Sequence, residues 1–346
     1  MSTVYLILGV ILFATTVTDA IITTFSTNGG GPITNHVSRA VWSVSLAASG
    51  RNGKSTILAY AGSAILVSVI MTWILGLWLG LFLVLLSEKA SIVHSTTHVS
   101  TNALEKFYYA GFTLSTLGVG DYVASSDVWR VISSVSAFSG LVFITASITY
   151  FVPVLSAVNL QSKLSLFINS MGETPQQMLK NSWNGRNLSP FFENTSDLCD
   201  MIMQHTLHHR SYPVIHFCHN SKQQYAIIVS MVKLDEALQL MAHVVPHDAG
   251  GVDKLKLRML QTAMSAYFGL IKENFLHGKN SHEEPPTPDL GLLLEEGVPM
   301  DKEKAMGYYA RRETQRHRGL LTLLLESDGW SWQAVYNTED DNLSYL

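Results

Sequence analysis

The sequence predicts an all-α membrane protein: three transmembrane helices, a re-entrant half-helix before the third, and a mostly helical soluble region after it. Composition is the first observation. Of 346 residues, 47 % are apolar and 14 % charged, well under the roughly 25 % charged residues of soluble domains. Distribution is the second. Residues 1–158 hold 6 of the 23 basic and 5 of the 27 acidic residues, and residues 159–346 hold the other 17 and 22. Length is the third. Residues 4–25, 57–86 and 131–158 each supply the roughly 20 apolar residues that a helix needs to cross a bilayer.

The first stretch lacks a basic leader, carries Asp19 and outruns a signal-peptide core, so it is expected to be retained. A carboxylate inside it is costly unless paired or near water. Only a few apolar or threonine residues follow Asp19, which places it near the inner interface; a gating acid is the competing reading. Residues 26–54 contain Arg39, Arg51 and Lys54 and no acidic residue, which marks a cytoplasmic loop. Within it Val37, Val41, Val44 and Ala48 recur at helical spacing. They suit an amphipathic helix on the membrane surface or a connecting helix packed on soluble structure. The second stretch then runs outward and the third returns, leaving the N-terminus outside and residues 159–346 in the cytoplasm of a multi-pass cell-membrane protein.

Between them, residues 104–115 are too short and too polar to span. They read as a half-crossing helix feeding Thr113-Leu114-Ser115-Thr116-Leu117-Gly118-Val119-Gly120-Asp121. Irregular backbone at membrane depth is tolerated only when buried in protein or lining water. Alternating glycines let consecutive carbonyls turn to one side, because glycine reaches backbone angles that other residues avoid.

This string resembles the selectivity filter of the potassium-channel superfamily, and residues 57–158 resemble its two-helix pore module. The resemblance implies a re-entrant pore helix and filter. Thr116 would give hydroxyl and carbonyl to the innermost ion site, and Leu117, Gly118, Val119 and Gly120 would present carbonyls above it to K+. Asp121 would sit at the outer mouth, held by a hydrogen bond from Tyr108 or Tyr109, which brace the filter from behind. Gly140, twenty residues after Gly120, falls where the family places an inner-helix hinge, although small residues also serve close packing. Ile144, Ile148 and Val152 share its helix face and are candidates for the cavity wall and a hydrophobic gate. Pro153 either kinks that helix or marks its end. Two departures stand out. Leu117 replaces the family's usual valine, with little effect expected, and Val119 replaces its usual tyrosine, deleting a ring and a hydroxyl; Phe112 in addition stands where some members carry a carboxylate. No segment repeats Arg or Lys every third residue, so a voltage-sensing helix is not expected.

In the soluble half, residues 195–209, 222–245, 252–277 and 301–327 read as amphipathic helices, separated at Gly250-Gly251 and the proline-rich residues 283–288. Residues 212–219 and 225–232 are candidate strands. No Gly-x-Gly-x-x-Gly follows a strand, and no basic face suggests nucleic acid. Histidines are dense (His205, His208, His209, His216, His219, His243, His247). His205 and His209, one turn apart, are candidate metal ligands or proton sensors, against the simpler reading as surface or capping residues. Arg311, Arg312, Arg316, His317 and Arg318 read as a solvated helix face. Cys199 and Cys218 are expected to be reduced thiols.

The expected function is a non-enzymatic, tetrameric K+ channel with no organic cofactor, since one filter string per chain needs four chains to close a ring. A weakly selective cation channel, caused by Val119, and a non-conducting membrane sensor or scaffold are the alternatives.

Overall fold

A computed structural model describes residues 2–27, 29–246, 251–276 and 284–337. His247, Gly250 and the predicted boundaries at residues 277 and 283 lie outside the described residues. The chain divides into two compact units. One takes the chain up to Trp42, with Ser63–Leu155 and Ser211–Val214. The other takes Ser43–Gly62, Ser156–Arg210 and the chain from Ile215 onward.

The spanning helices form where the apolar runs predict them, as α1 (Thr3–Phe25), α3 (Thr56–Leu86) and α5 (Asp127–Met171). Helix α5 outruns its apolar part because nothing after residue 158 breaks it before Gly172, and it stays helical through Pro153. The 26–54 loop contains α2 (Pro32–Ala48). Its buried face is Thr34, Ser38 and Trp42, whereas Val44 of the predicted apolar stripe is exposed.

In the first unit α1 and α3 meet almost backbone to backbone. A Cβ on Gly80 would stand 2.9 Å from that of Phe13, and one on Gly9 would stand 2.6 Å from the Val84 nitrogen. Gly76-x-x-x-Gly80 is thus a small-residue contact of the kind that replaces hydrophobic driving force between membrane helices.

Asp19 fixes the end of α1. It is 1 % exposed, and its carboxylate accepts from the Ile33 amide (2.7 Å), the Thr34 amide (3.2 Å), the Thr34 hydroxyl (2.7 Å) and the Trp73 indole (2.9 Å). Two of these donors are first-turn amides of α2, whose positive dipole end favours a carboxylate. Asp19 is therefore a fully partnered anchor. Asp19→Ala strands four buried donors, and a stability loss of about 3 kcal/mol or more is expected, read as a lower melting temperature of the detergent-solubilised protein.

The second unit packs α6 (Pro175–Asn181), α7 (Thr195–Ser211), α8 (Ile227–His243), α9 (Lys254–Phe275), α10 (Gly291–Glu295), α11 (Lys302–Tyr309), α12 (Arg312–Ser327) and α13 (Gln333–Tyr336). Helix α8 lies at its centre, buried on nearly every side. Three sequence expectations are corrected here. Residues 213–217 form a 3-10 turn and α8 covers most of 225–232, so neither candidate strand exists. The helix predicted over 301–327 breaks in two, because Arg311 is extended (φ −66°, ψ 137°). Arg318 is no solvated residue, being 2 % exposed.

Candidate functional site

The half-helix is α4 (Ala103–Leu114), started by a capping box in which the Asn102 side chain accepts from the Glu105 amide while Glu105 accepts from the Asn102 amide. Satisfying both donors locally lets so short a helix begin cleanly. Its last turn closes through Ser115 N to Gly111 O and Leu117 N to Phe112 O, both 3.0 Å.

The chain then changes character. Thr116, Gly118 and Gly120 have φ of 57°, 59° and 85°, while Leu117 and Val119 between them stay negative. In an ordinary strand successive carbonyls point to opposite sides. Alternating the sign of φ brings them toward one side. Glycine adopts positive φ without penalty, but at Thr116 the left-handed conformation costs about 1 kcal/mol or more, so the surrounding bonds must hold it. Residues 115–120 are exposed in the single chain, Leu117 at 69 %.

The chain just beyond the string is pinned. The Asp121 carbonyl accepts from the Ser95 amide (2.9 Å), and its carboxylate from the Tyr122 amide (3.1 Å). Strands β1 (Ile92–His94) and β2 (Tyr122–Ala124) pair antiparallel, Ile92 opposite Ala124 and His94 opposite Tyr122. The half-helix and string are thus an insertion between two paired strands, which fixes both ends of the loop. Ile92, Val93, Tyr122 and Val123, β-branched or aromatic residues in two short runs, were the available signal.

Behind the string, Tyr109 donates its hydroxyl to Ser133 of α5 (2.8 Å), so this hydroxyl braces the inner helix and not Asp121. Tyr108 packs edge-on against Phe112 and Tyr122. Phe107 stacks on Trp78 of α3 at 4.5 Å, and the Trp78 indole donates to the Phe107 carbonyl (2.9 Å). Lys106, which sequence reasoning passed over, is buried and donates to the Leu85 and Glu88 carbonyls (3.1 and 2.5 Å). It thereby ties the start of α4 to the end of α3.

Gly140 of α5 lies against the Leu114 carbonyl so closely that a Cβ would overlap that oxygen. Ile144, Ile148 and Val152 are exposed along one face of α5, Ile148 at 61 %. An apolar cavity of about 460 Å³ opens among α3, α4 and α5, lined by Trp78, Phe112, Leu117, Gly140, Phe143 and Ile144 among others.

In the second unit the histidines do gather. His205 and His209 have ring centroids 5.8 Å apart, and His209 lies 5.2 Å from His216. Among the described residues, however, no three His, Cys, Asp or Glu side chains stand where they could hold a metal ion. Both ring nitrogens of His205 and Nδ1 of His209 are buried without a hydrogen-bond partner. Burial drives His205 down to about 3, with His208 adding to the effect, and burial with His216 and His205 lowers His209 well below its ordinary value. An unfolded chain takes up these protons and the folded one does not, so stability is present above the ordinary histidine value and is lost as pH falls through and below it. The melting temperature is expected to fall between neutral pH and about pH 5, and His205→Phe to flatten that slope.

Comparison with known proteins bears on the first unit directly. Residues 68–157 match the family model described as "Ion channel". Over 338 residues, 96 % of this chain and 97 % of the relative, the sequence is 26 % identical to "Uncharacterized membrane protein YdjJ" of Bacillus subtilis (strain 168). No solved structure matches. The matched segment contains most of α3, α4, the string and the apolar part of α5. The chain is thus a membrane protein in which residues 68–157 are similar to an ion-channel segment, in line with the potassium-channel resemblance.

Proposed function

We propose that four copies of this chain form a channel that conducts K+ passively and selectively across the cell membrane. Each copy contributes the carbonyls of residues 116–120 to rings around one axis, replacing the hydration shell of K+. The alternating φ at Thr116, Gly118 and Gly120 carries this reading. Support comes from the surfaces one chain leaves uncovered: the string itself, and Ile144, Ile148 and Val152 of the inner helix. A closed ring of identical subunits gives these surfaces neighbours and a water-filled lumen. In this arrangement the N-terminus lies outside and the second unit in the cytoplasm, where it gates the pore at the filter or the inner helix, with Gly140 as the candidate hinge.

Val119 favours one second reading, a channel that discriminates weakly between K+ and Na+. The position has no ring or hydroxyl with which to tether the filter, and a looser cage selects less strictly. Reversal potentials of the purified protein in planar bilayers, with K+ and Na+ opposed, separate the two. A reversal close to the K+ equilibrium potential is expected. Reversal near zero supports the weakly selective reading, and absence of current supports a non-conducting sensor or scaffold.

A further inference from the structure

His219 stands among the histidines of the second unit but differs from them in its partners. Its Nδ1 lies 2.9 Å from the Asp328 carboxylate and its Nε2 lies 2.7 Å from the Gly53 carbonyl. Both partners accept hydrogen bonds, and a neutral imidazole carries one donor only. Satisfying both contacts requires a proton on each nitrogen. Gly53 is gripped on three sides. Its amide donates to the Gly329 carbonyl (2.7 Å) and its carbonyl accepts from His219. Its Cα is pressed so flat on Trp330 that a Cβ would stand 2.6 Å from the indole. Trp330 in turn stacks on the His219 ring at 5.9 Å. The gripped turn comes after α2 and leads within three residues into α3, the outer helix of the pore segment.

We propose that His219 is a proton-dependent latch that holds the turn at residues 50–54 against residues 328–330, and so fixes the chain entering the outer pore helix. Loss of the Nε2 proton to solvent leaves a nitrogen lone pair facing the Gly53 oxygen, and the contact turns from attraction to repulsion. This goes beyond conduction and does not depend on which ion passes.

The surroundings single out Asp328 as the charge that matters. His205 and His209 of α7 are held neutral, and burial pushes the Cys218 thiol up to about 12 and the Tyr267 phenol above its usual range. His216 lines the same small cavity, while Arg51 and Lys54 of the turn are exposed. Burial opposes protonation of His219, but the charge and hydrogen bond of Asp328, with the Gly53 carbonyl, outweigh it and raise its pKa above the ordinary value. A raised folded value means that the latch is intact at and below the ordinary histidine range and opens as pH rises through the raised value. The switch therefore answers to alkalinisation, opposite in sense to the acid sensitivity of His205 and His209.

The test uses the full-length protein in lipid nanodiscs, with nitrogen-15 in its histidines. His219 is expected to carry protons on both ring nitrogens at neutral pH and to lose one only above it. Hydrogen exchange at the Gly53 amide, corrected for intrinsic rate, is expected to accelerate about tenfold or more in step with that loss. His219→Ala, which has no donor for the Gly53 carbonyl, should exchange fast at every pH, and Asp328→Asn should move the midpoint to lower pH. A singly protonated His219 at neutral pH overturns the latch, as does Gly53 protection that stays flat through the His219 titration. Both wild-type readouts hold whether or not the variants fold, and neither requires ion flux, so they fail or succeed independently of the channel reading.

Discussion

Gly118→Asp is expected to abolish ion flux from proteoliposomes while leaving the protein folded and assembled. Within one chain a Cβ at Gly118 meets nothing within 4 Å, so the substitution causes no overlap in the subunit itself. Its effect arises from two other sources. The residue sits at φ 59°, where a side-chain-bearing residue is strained. In a ring, four carboxylates would also be gathered close around one axis, where they repel each other and distort the carbonyl rings. Flux measured beside the elution volume of the assembled protein separates these outcomes. Wild-type flux through a correctly assembled variant would remove residues 116–120 from the conduction path.

Arg318→Met is expected to destabilise the second unit by about 3–5 kcal/mol. Arg318 donates to Glu236 through Nε (2.9 Å) and to the Pro286 carbonyl and the Tyr336 hydroxyl (2.7 and 3.0 Å). Tyr336 closes the triangle onto Glu236 (2.5 Å), and the guanidinium lies over the rings of Tyr309 and Trp332. Burial pushes the Glu236 carboxyl above its usual range even though Arg318 and Tyr336 act against it. Without Arg318 that carboxylate has lost its charge partner in a buried site. The double variant Arg318→Met with Glu236→Gln is expected to regain most of the loss, since a buried ion pair is replaced more cheaply than it is halved. Thermal melts of the wild type, Arg318→Met, Glu236→Gln and the double variant in one detergent measure this. A double variant as unstable as Arg318→Met would show that the arginine acts through packing and not through charge pairing.

The parts of this chain legible in its sequence are those encoded by local runs. The three spans follow from unbroken apolar residues, and α4 with its string follows from a short aromatic helix ending in alternating glycines. The features that escaped depend on partners far along the chain. Asp19 looked like an interfacial acid because Trp73, one of its donors, is 54 residues away. Arg318 looked solvated because Glu236 lies 82 residues earlier, and α8 carries that acid through the middle of the unit. The break at Arg311 has no glycine or proline to announce it. The strands beside the string were missed because three residues each are too few for a periodicity to show. Within the string, residue types are local and legible, whereas the anchoring of Asp121 by Ser95 is a backbone bond that no side chain declares.

The contact between Gly140 and Leu114 has a mechanical meaning. Side chains between packed helices act as a compliant layer, since a displacement of one helix can be absorbed by a change of rotamer. Here the layer is missing: the backbone of the inner helix rests on the carbonyl that ends the half-helix, two residues before Thr116. A shift of α5 at that point must be passed on undamped to the start of the string. Helix α5 and the string then behave as one rigid linkage, and a bulkier residue at position 140 would pry them apart.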